Sequence, residues 1–354
     1  MSMNQKVKYL FQEAIRRQAS DLHLIVGVPP FLRVNGKLLP LPKLEVLTKE
    51  AVEEMVFSLC SETQKEILKT NLELDFSFDL ENEIRFRINA YYQKGTLAAS
   101  FRLVPKKIKT IDELGLPQVC HQFTHLKQGF ILVTGPTGHG KSTTIAAMIE
   151  EINRERAAHI ITIEDPVEFT FTPKKSIISQ RELNSDTHSW TLSLRSCLRE
   201  DPNVVFIGEM RDLETISAAL TIAETGHLVF STLHTNSAAQ TVDRIVDVFP
   251  EGAKAQVRSQ FSSVLEGVVS QRLVPTFSGG RVPAVEIMLG STAVKTAIRE
   301  GKTHLIDNII QTSSEMGMIT LEKSLARLVN EGQISLETAK AYALRPADLG
   351  RKVK

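Results

Sequence analysis

Residues 135–142 read Gly-Pro-Thr-Gly-His-Gly-Lys-Ser and fill every fixed position of the phosphate-binding pattern G-x-x-x-x-G-K-[ST]. An apolar, β-prone run at 129–134 precedes them, and apolar residues at helical spacing follow over 141–152. A strand, a glycine turn and a helix start form a cradle in which backbone N–H groups and the positive helix end face phosphate. A chance glycine turn would lack these two neighbours, so the pattern predicts a nucleoside triphosphate site.

The side chains of this loop have separate expected roles. Lys141 is expected to reach the β- and γ-phosphates, and the Ser142 hydroxyl to ligate Mg²⁺. The predicted nucleotide-binding residues are Gly135, Pro136, Thr137, Gly138, His139, Gly140, Lys141, Ser142 and Thr143.

Length and charge set the broad class of the protein. The 354 residues are enough for two domains, each with its own core. A hydrophobic fraction of 42% and a charged fraction of 23% are ordinary for a soluble globular chain. With 42 basic and 41 acidic residues the net charge is +1, so no overall field attracts nucleic acid. Direct nucleic-acid binding is therefore not expected.

The sequence carries no signal for membrane insertion or for disulfides. No apolar run approaches the roughly 18 residues that a membrane span needs, and residues 1–18 lack a signal-peptide core. The cysteines Cys60, Cys120 and Cys197 lie far apart, without a C-x-x-C pair. We expect them to be reduced, buried thiols in a cytosolic protein, and we expect no zinc ribbon.

Residues 1–105 are predicted to form a small mixed α/β domain. Asn35-Gly36 is the dipeptide preferred in tight hairpin turns. Apolar residues alternate with polar ones in the last strands of the domain, which is typical of half-buried strands. The predicted elements are an N-terminal helix, helices over 48–60 and 62–70, and strands over 21–26, 31–34, 37–41, 72–80 and 84–88.

The same alternation separates arginines from the core. If Phe86 faces inward, Arg85 and Arg87 face the other way, and Arg102 is similarly placed on the next predicted strand. A row of arginines is often a solvated sheet face. The alternative is an arginine finger, whose planar guanidinium meets phosphate charge across a subunit boundary. Both interpretations are open at this point.

The remaining chain predicts a second, larger domain. Residues 106–112 fit a linker, and 113–290 alternate strands with helices, which indicates a parallel sheet covered by helices. The region 291–354 is predicted to be helical. Ser291 and Ser335 are suitable helix starts, and Gly301 and Gly332 suitable helix ends.

Carboxylates follow two predicted buried strands, where an open α/β sheet binds its ligand. The strand predicted from 159 ends at Glu164-Asp165, and Glu168 follows on the turn. The apolar strand predicted from 204 is followed by Glu209, a Walker B pattern, whose acid holds Mg²⁺ through water or polarises the attacking water. Acids after strands are also common as helix caps. The phosphate loop favours the nucleotide role for Glu209.

Two histidines lie at the ends of a further apolar strand, His227 before it and His234 after it. Metal binding is not indicated, because no third ligand recurs at metal spacing. One interpretation is that this pair of polar side chains senses whether the γ-phosphate is present. Two hydrogen-bonded structural histidines are the other.

Taken together, these segments resemble the secretion ATPase family, and within it the retraction motors of type IV pili. The similarity runs over nearly the whole chain. The segments that carry it are 20–24, 85–89, the phosphate loop at 135–143, the Asp box at 163–168, Walker B within 198–212, and the His box within 223–236.

The resemblance implies a fold and an assembly. The fold is an N-terminal PAS-like α+β domain (1–105), a linker, a RecA-like P-loop ATPase core (113–290) and a C-terminal helical region (291–354). The assembly is a homohexameric ring with ATP at its domain boundaries. The implied partner is the inner-membrane platform protein of the pilus, which the cytoplasmic ring would contact at the membrane periphery.

The implied activity is ATP hydrolysis, with Mg²⁺, that powers pilus retraction. When the family's roles are carried over residue by residue, the resemblance implies that Glu168 and Glu209 activate water. It also implies that Glu164 and Asp165 shape the metal site with Ser142. His227 and His234 sense or position the phosphate. Arg87 and Arg102 are candidate fingers.

Two other functions are compatible with the same motifs. One is an accessory or assembly-side pilus or type II secretion ATPase, although those relatives carry an extra N-terminal domain and a C-x-x-C pair that this sequence is expected to lack. A more distant one is a RecA-like nucleic-acid translocase. The chain also departs from the family at His139, where serine is usual, and at Asn203, where aspartate is usual.

Overall fold

The computed structural model describes residues 3–34, 36–41, 44–80, 84–104 and 108–349. The chain forms two compact units, one of Met1–Lys107 with Pro166–Thr170 and the other of Ile108–Asp165 with Phe171–Lys354. Three expectations fall outside the described residues, wholly or in part: the turn residue Asn35, residues 105–107 at the predicted linker, and the end of the helical region after 349.

The first unit is built on one six-stranded antiparallel sheet, with strand order β3-β2-β1-β6-β5-β4. Its elements, in chain order, are α1 (Gln5–Arg16), β1 (Asp21–Leu24), β2 (Phe31–Val34), β3 (Lys37–Pro40), α2 (Lys49–Phe57), α3 (Glu62–Asn71), β4 (Glu73–Leu80), β5 (Ile84–Gln93) and β6 (Thr96–Val104).

The core of the first unit explains why apolar and polar residues alternate along β5. Phe86 and Ile88 are fully buried, and Phe11 of α1 stacks on Phe86 with ring centroids 3.9 Å apart. Since successive strand residues point to opposite faces, Arg85 and Arg87 lie on the face away from this core. The predicted alternation is therefore confirmed.

The second unit carries the phosphate loop. Its elements are α4 (Val119–His125), β7 (Gly129–Thr134), α5 (Lys141–Glu155), β8 (His159–Glu164), β9 (Ile177–Glu182), α6 (Trp190–Cys197), β10 (Val204–Ile207), α7 (Leu213–Glu224), β11 (Leu228–Leu233), α8 (Ala238–Asp247), α9 (Glu251–Val264), β12 (Leu265–Pro275), β13 (Arg281–Leu289), α10 (Thr292–Arg299), α11 (Ile306–Thr312), α12 (Leu321–Asn330), α13 (Leu336–Tyr342) and α14 (Pro346–Leu349).

A seven-stranded sheet of order β13-β12-β7-β11-β10-β8-β9 organises this unit. Neighbouring strands are parallel throughout except for β13, which pairs antiparallel with β12. The prediction of a parallel sheet is thus wrong for β13. The physical reason is a tight turn at 276–280, where Gly279 and Gly280 adopt positive φ and send the chain straight back.

The helical region after β13 begins where the sequence predicts. The Ser291 hydroxyl accepts the Val294 N–H at the start of α10, and the Ser335 hydroxyl accepts the Thr338 N–H at the start of α13. Both are side-chain caps of the kind that fixes a helix start. Across the described part of the chain, every helix is too short or too polar to span a bilayer.

Candidate nucleotide-binding site

The phosphate loop connects β7 to α5 and depends on glycine. Gly135 has φ of 141°, and a Cβ at this position would lie 2.2 Å from the Gln271 carbonyl oxygen. Gly140 has φ of 81° and directly precedes α5, whose first backbone N–H groups have no partner within the helix. The sequence therefore folds here into the predicted anion cradle.

Strand β12 holds the loop in place through Gln271, a residue with 2% exposure. Its Nε2 donates to the His139 carbonyl oxygen at 2.8 Å, and its Oε1 accepts the Thr144 hydroxyl at 2.7 Å. From β13, Arg281 donates to the Gly138 carbonyl oxygen at 3.2 Å. The β12–β13 hairpin therefore fixes the backbone of the loop.

We expect Gln271→Leu to loosen this loop without removing any group that would touch nucleotide. The His139 carbonyl and the Thr144 hydroxyl lose their partner, and ATP affinity falls about tenfold. Titration with a fluorescent ATP analogue measures the change, with Gln311→Leu on the exposed face of α11 as the matched control. Equal affinity for both variants would contradict a bracing role for Gln271.

His139 is bound through its side chain as well as its backbone. Its Nδ1 accepts the backbone N–H of Leu273 at 3.0 Å, which requires an unprotonated Nδ1. Burial, followed by the positive charges of Arg272, Arg281 and Lys141, lowers the pKa of His139. The neutral imidazole is thus the form that fits the loop.

A pH dependence of stability follows from this lowered pKa. Near pH 6.5 and below, the unfolded chain takes up a proton at His139 that the folded chain resists, so stability present above about pH 6.5 is lost as the pH falls. Between about pH 7.5 and about pH 5.5, the Tm of the wild type should fall further than the Tm of His139→Ser. Parallel curves of Tm against pH would show that His139 titrates alike in both states.

Lys141 is buried within the loop itself. Its Nζ donates to the carbonyl oxygens of Gly135 at 2.9 Å and Pro136 at 3.0 Å, and it lies 3.3 Å from His234 Nδ1. The His box therefore reaches the lysine of the phosphate loop directly.

His234 connects that lysine to the Walker B acid. Lysine can only donate, so Nδ1 of His234 accepts from Lys141 and carries no proton. The other nitrogen, Nε2, lies 3.1 Å from Glu209 Oε1 and donates to it. A continuous chain of contacts thus runs from Lys141 through His234 to Glu209.

Glu209 is held as a carboxylate. Burial raises its pKa, but the hydrogen bond from Arg211 and the interactions with His234 lower it more, and the net pKa lies below the ordinary value. Arg211 donates to Oε2 at 2.9 Å, so each carboxylate oxygen has one donor. An ionised, oriented acid is available to accept a hydrogen bond from water.

Short hydrogen bonds between strand ends place these groups. The hydroxyls of Ser231 and Thr232 donate to the carbonyl oxygens of Ile207 and Gly208 at 2.8 and 2.6 Å. These contacts lock β11 to β10, so that His234 and Glu209, which follow the two strands, emerge side by side.

The structure does not bring every expected site residue to this cluster. His227 stands at the amino end of β11, where its Nδ1 lies 3.0 Å from the Ile222 carbonyl oxygen, and its own carbonyl accepts the N–H of Gly129. The two histidines therefore sit at opposite ends of one strand. In this structure His227 is a hydrogen-bonded histidine at the end of β11 away from His234.

The remaining candidates divide between the units. Glu164 is buried at the end of β8 and accepts the Thr162 hydroxyl at 2.7 Å, while Asp165 beside it is exposed. Glu168 belongs to the segment Pro166–Thr170 of the first unit, where Arg87 Nη1 lies 3.7 Å from its Oε1. In that same unit Arg102 pairs with Asp21 at 3.0 Å.

Comparison with known families agrees with this geometry. The profile of the family described as "Type II/IV secretion system protein" matches residues 2–341 of the sequence. The chain belongs to this family. The assignment to the secretion ATPases made from the motifs is thereby confirmed.

Individual relatives place the chain more precisely within this family. The chain is 47% identical over 333 residues to the type IV pilus retraction ATPase PilT of Pseudomonas aeruginosa, covering 94% of this chain and 96% of that one. It is 49% identical over 315 residues to a twitching motility protein of Neisseria gonorrhoeae, covering 89% and 84%. A crystal structure of the pilus retraction motor PilT with bound ADP superposes with a TM-score of 0.91 at 46% identity, covering 98% and 100%. These likenesses confirm the resemblance to the retraction branch.

Magnesium is the metal expected in this family, and the donor chemistry around the loop fits it. Ser142 offers a hydroxyl in the first turn of α5, and Glu164, Asp165 and Glu209 offer carboxylates where β8 and β10 end. Hydroxyl and carboxylate oxygens are the ligands that Mg²⁺ prefers, and it keeps several waters. Because both oxygens of Glu209 already accept hydrogen bonds, contact through water suits Glu209.

Sequence reasoning missed the β12–β13 hairpin as part of this ATPase site. Gln271 and Arg281 contact the phosphate loop, yet they lie far from it in the chain. One signal was present on β13, where Glu286 stands inside an apolar strand run, whereas Gln271 of β12 lies between Ser270 and Arg272 and does not stand out in the sequence. A buried polar group in a strand needs a partner, and such residues therefore mark candidate contacts.

Proposed function

We propose that this chain is a homohexameric motor ATPase that retracts type IV pili. The observation that carries the proposal is the chain of contacts from Lys141 through His234 to Glu209. It joins the phosphate loop to the Walker B acid in a protein 47% identical to a pilus retraction ATPase over 94% of its length.

Binding is the work of the phosphate loop. The backbone N–H groups of 135–143 surround the phosphates, and Lys141 exchanges the carbonyl oxygens of Gly135 and Pro136 for phosphate oxygens. Ser142 would hold Mg²⁺, with Asp165 and Glu209 contributing, and the metal would neutralise phosphate charge.

Hydrolysis then consists of positioning water and neutralising charge, without a covalent intermediate. Glu209 is ionised and orients the attacking water, and His234 keeps one of its oxygens fixed. Glu168 activates water together with Glu209, Glu164 shapes the metal site with Asp165, and Arg87 and Arg102 serve as fingers for phosphate charge in the ring. His227 has no part in the mechanism of its own subunit, because it lies at the other end of β11.

The working assembly is a ring that meets the pilus machine. The domains are the PAS-like region 1–105, the RecA-like core 113–290 and the helical region 291–354, and the relative movement of the two lobes transmits work. The partner is the platform protein of the inner membrane, and the ring is cytoplasmic and peripheral to that membrane.

Deletion of the gene in its own organism tests the proposal. The expected phenotype is hyperpiliated cells without twitching, restored by the wild type and by the surface variant Glu214→Gln, but not by Glu209→Gln. Bald cells would instead indicate an assembly motor.

Light scattering of the purified protein with ATP and Mg²⁺ should give the mass of a hexamer.

A nucleic-acid translocase is the competing class. Such a protein binds single-stranded DNA at low salt by neutralising phosphates. A gel shift at low salt should show no complex with this chain. A salt-sensitive complex would overturn the pilus assignment.

A further inference from the structure

Strand β13 carries a buried acid that the proposed mechanism does not use. Glu286 is 1% exposed and lies in the middle of the strand, opposite Ser270 of β12. A buried carboxyl group is costly unless a specific partner compensates it. The partner identifies what Glu286 does.

That partner is the start of α8. Oε1 of Glu286 accepts the backbone N–H of Ala238, the first residue of the helix, at 2.8 Å. The first N–H groups of a helix have no acceptor within it, and negative charge is stabilised there by the helix dipole. Glu286 therefore anchors the amino end of α8 to the sheet.

Anchoring α8 also fixes His234. Only residues 235–237 separate His234 from Ala238. Two of them are tied back to the helix: Thr235 and Thr241 share a hydroxyl hydrogen bond of 2.6 Å, and the Asn236 N–H donates to Gln240 at 2.7 Å. The position of α8 thus sets the position of His234.

Charged groups from the C-terminal region surround the same carboxyl group. Burial is the main reason why the pKa of Glu286 is raised to about 7, and the hydrogen bond from the Ala238 N–H partly opposes it. The charges of Asp307 on α11 and Glu322 on α12 raise this pKa further, while the charge of Arg345 lowers it. Arg272 of β12 also interacts with it. Oε2 of Glu286 has no hydrogen-bond partner within the described ranges.

Arg345 ties these groups together. Its Nη1 donates to Asp307 at 2.8 Å, and its backbone N–H donates to Glu322 at 2.9 Å. The Glu286 carboxyl group, which holds the start of α8, is therefore also within the electrostatic influence of the C-terminal helices.

We propose that Glu286 is a positioning residue for ATP hydrolysis, which holds the start of α8 and thereby keeps His234 between Lys141 and Glu209. The inference rests on the proposed function, because it assigns a task within the same site. Glu286 itself contacts neither the phosphate loop nor the acid.

Two substitutions at Glu286 test the proposal in the full-length protein. Glu286→Met removes the acceptor at similar volume, and kcat should fall about tenfold with KM for ATP nearly unchanged. Glu286→Gln keeps a carbonyl acceptor and should retain most activity. Ser291→Ala, which removes the cap of α10, is the matched control and should leave kcat unchanged.

A double-mutant cycle separates positioning from general damage. In the His234→Ala background, Glu286→Met should cost less than about twofold in kcat, because the residue it positions is gone. An equal factor in both backgrounds would refute the proposal. So would full activity of Glu286→Met beside an active wild type, whereas an inactive wild type would refute the proposed function instead.

A pH profile keeps the proposal falsifiable if Glu286→Met does not fold. The ionised carboxylate accepts the Ala238 N–H more strongly than the acid does. The ratio of wild-type kcat to that of Glu286→Gln should therefore rise as the pH passes through about 7, where Glu286 ionises. A ratio that is constant with pH would count against the proposal.

Discussion

Replacing Lys141 with alanine abolishes ATP binding, with a loss of affinity above about 100-fold, since a buried charge-assisted contact to phosphate is removed. Lys141 is 7% exposed and is held by loop carbonyls, so its ammonium group is already placed within the phosphate cradle. Titration with a fluorescent ATP analogue measures the loss.

The control for this result is Lys127→Ala, which removes an exposed lysine just before β7 and should bind ATP normally. Melting temperatures of both variants show whether the fold is intact. If Lys141→Ala bound ATP within about threefold of the wild type, the phosphate contact assigned to this lysine would be wrong.

The second large effect is expected from Glu209→Gln, which should lower kcat by about 100-fold or more while ATP still binds. Glutamine keeps one acceptor oxygen for His234 or Arg211, so the local structure changes little. What is lost is the negative charge that we propose orients the attacking water. Phosphate release at saturating ATP gives kcat, and a nucleotide titration gives the affinity.

Glu214→Gln is the matched control, because it neutralises an exposed acid in the first turn of α7. Its kcat should equal that of the wild type. Turnover by Glu209→Gln at a wild-type rate would exclude Glu209 as the water-orienting acid and would direct attention to Glu164 or Glu168.

Much of the fold was predictable because its signals are local. The alternation around Phe86, the glycine loop before α5 and the serine caps of α10 and α13 each depend on a few neighbouring residues. The antiparallel return of β13 was missed, although Gly279 and Gly280 mark its turn. A glycine pair shows that the chain turns, but the partner strand depends on the sheet already formed.

The part of the site that consists of sequence motifs was predictable, whereas the contacts between distant segments were not. His227 and His234 look equivalent in sequence, yet the six-residue strand between them places them seven residues apart, or about 23 Å at a rise of about 3.3 Å per residue. Only the parallel register, with Ser231 beside Ile207, shows that His234 is the one beside Glu209. Gln271 was beyond sequence reasoning, since its contact with Thr144 joins two distant segments.

The contact between Lys141 Nζ and His234 Nδ1 has a consequence for how the protein would respond to bound ATP. If a bound triphosphate drew the Lys141 ammonium group away, Nδ1 of His234 would lose that donor and keep Thr137 Oγ1, which lies 3.2 Å from it, as its neighbour. We expect that loss to alter the hydrogen bond from Nε2 of the same ring to Glu209 Oε1, now 3.1 Å long. On the proposed function, the presence of nucleotide would thus be passed from the phosphate loop to Glu209 through a change in a single hydrogen bond.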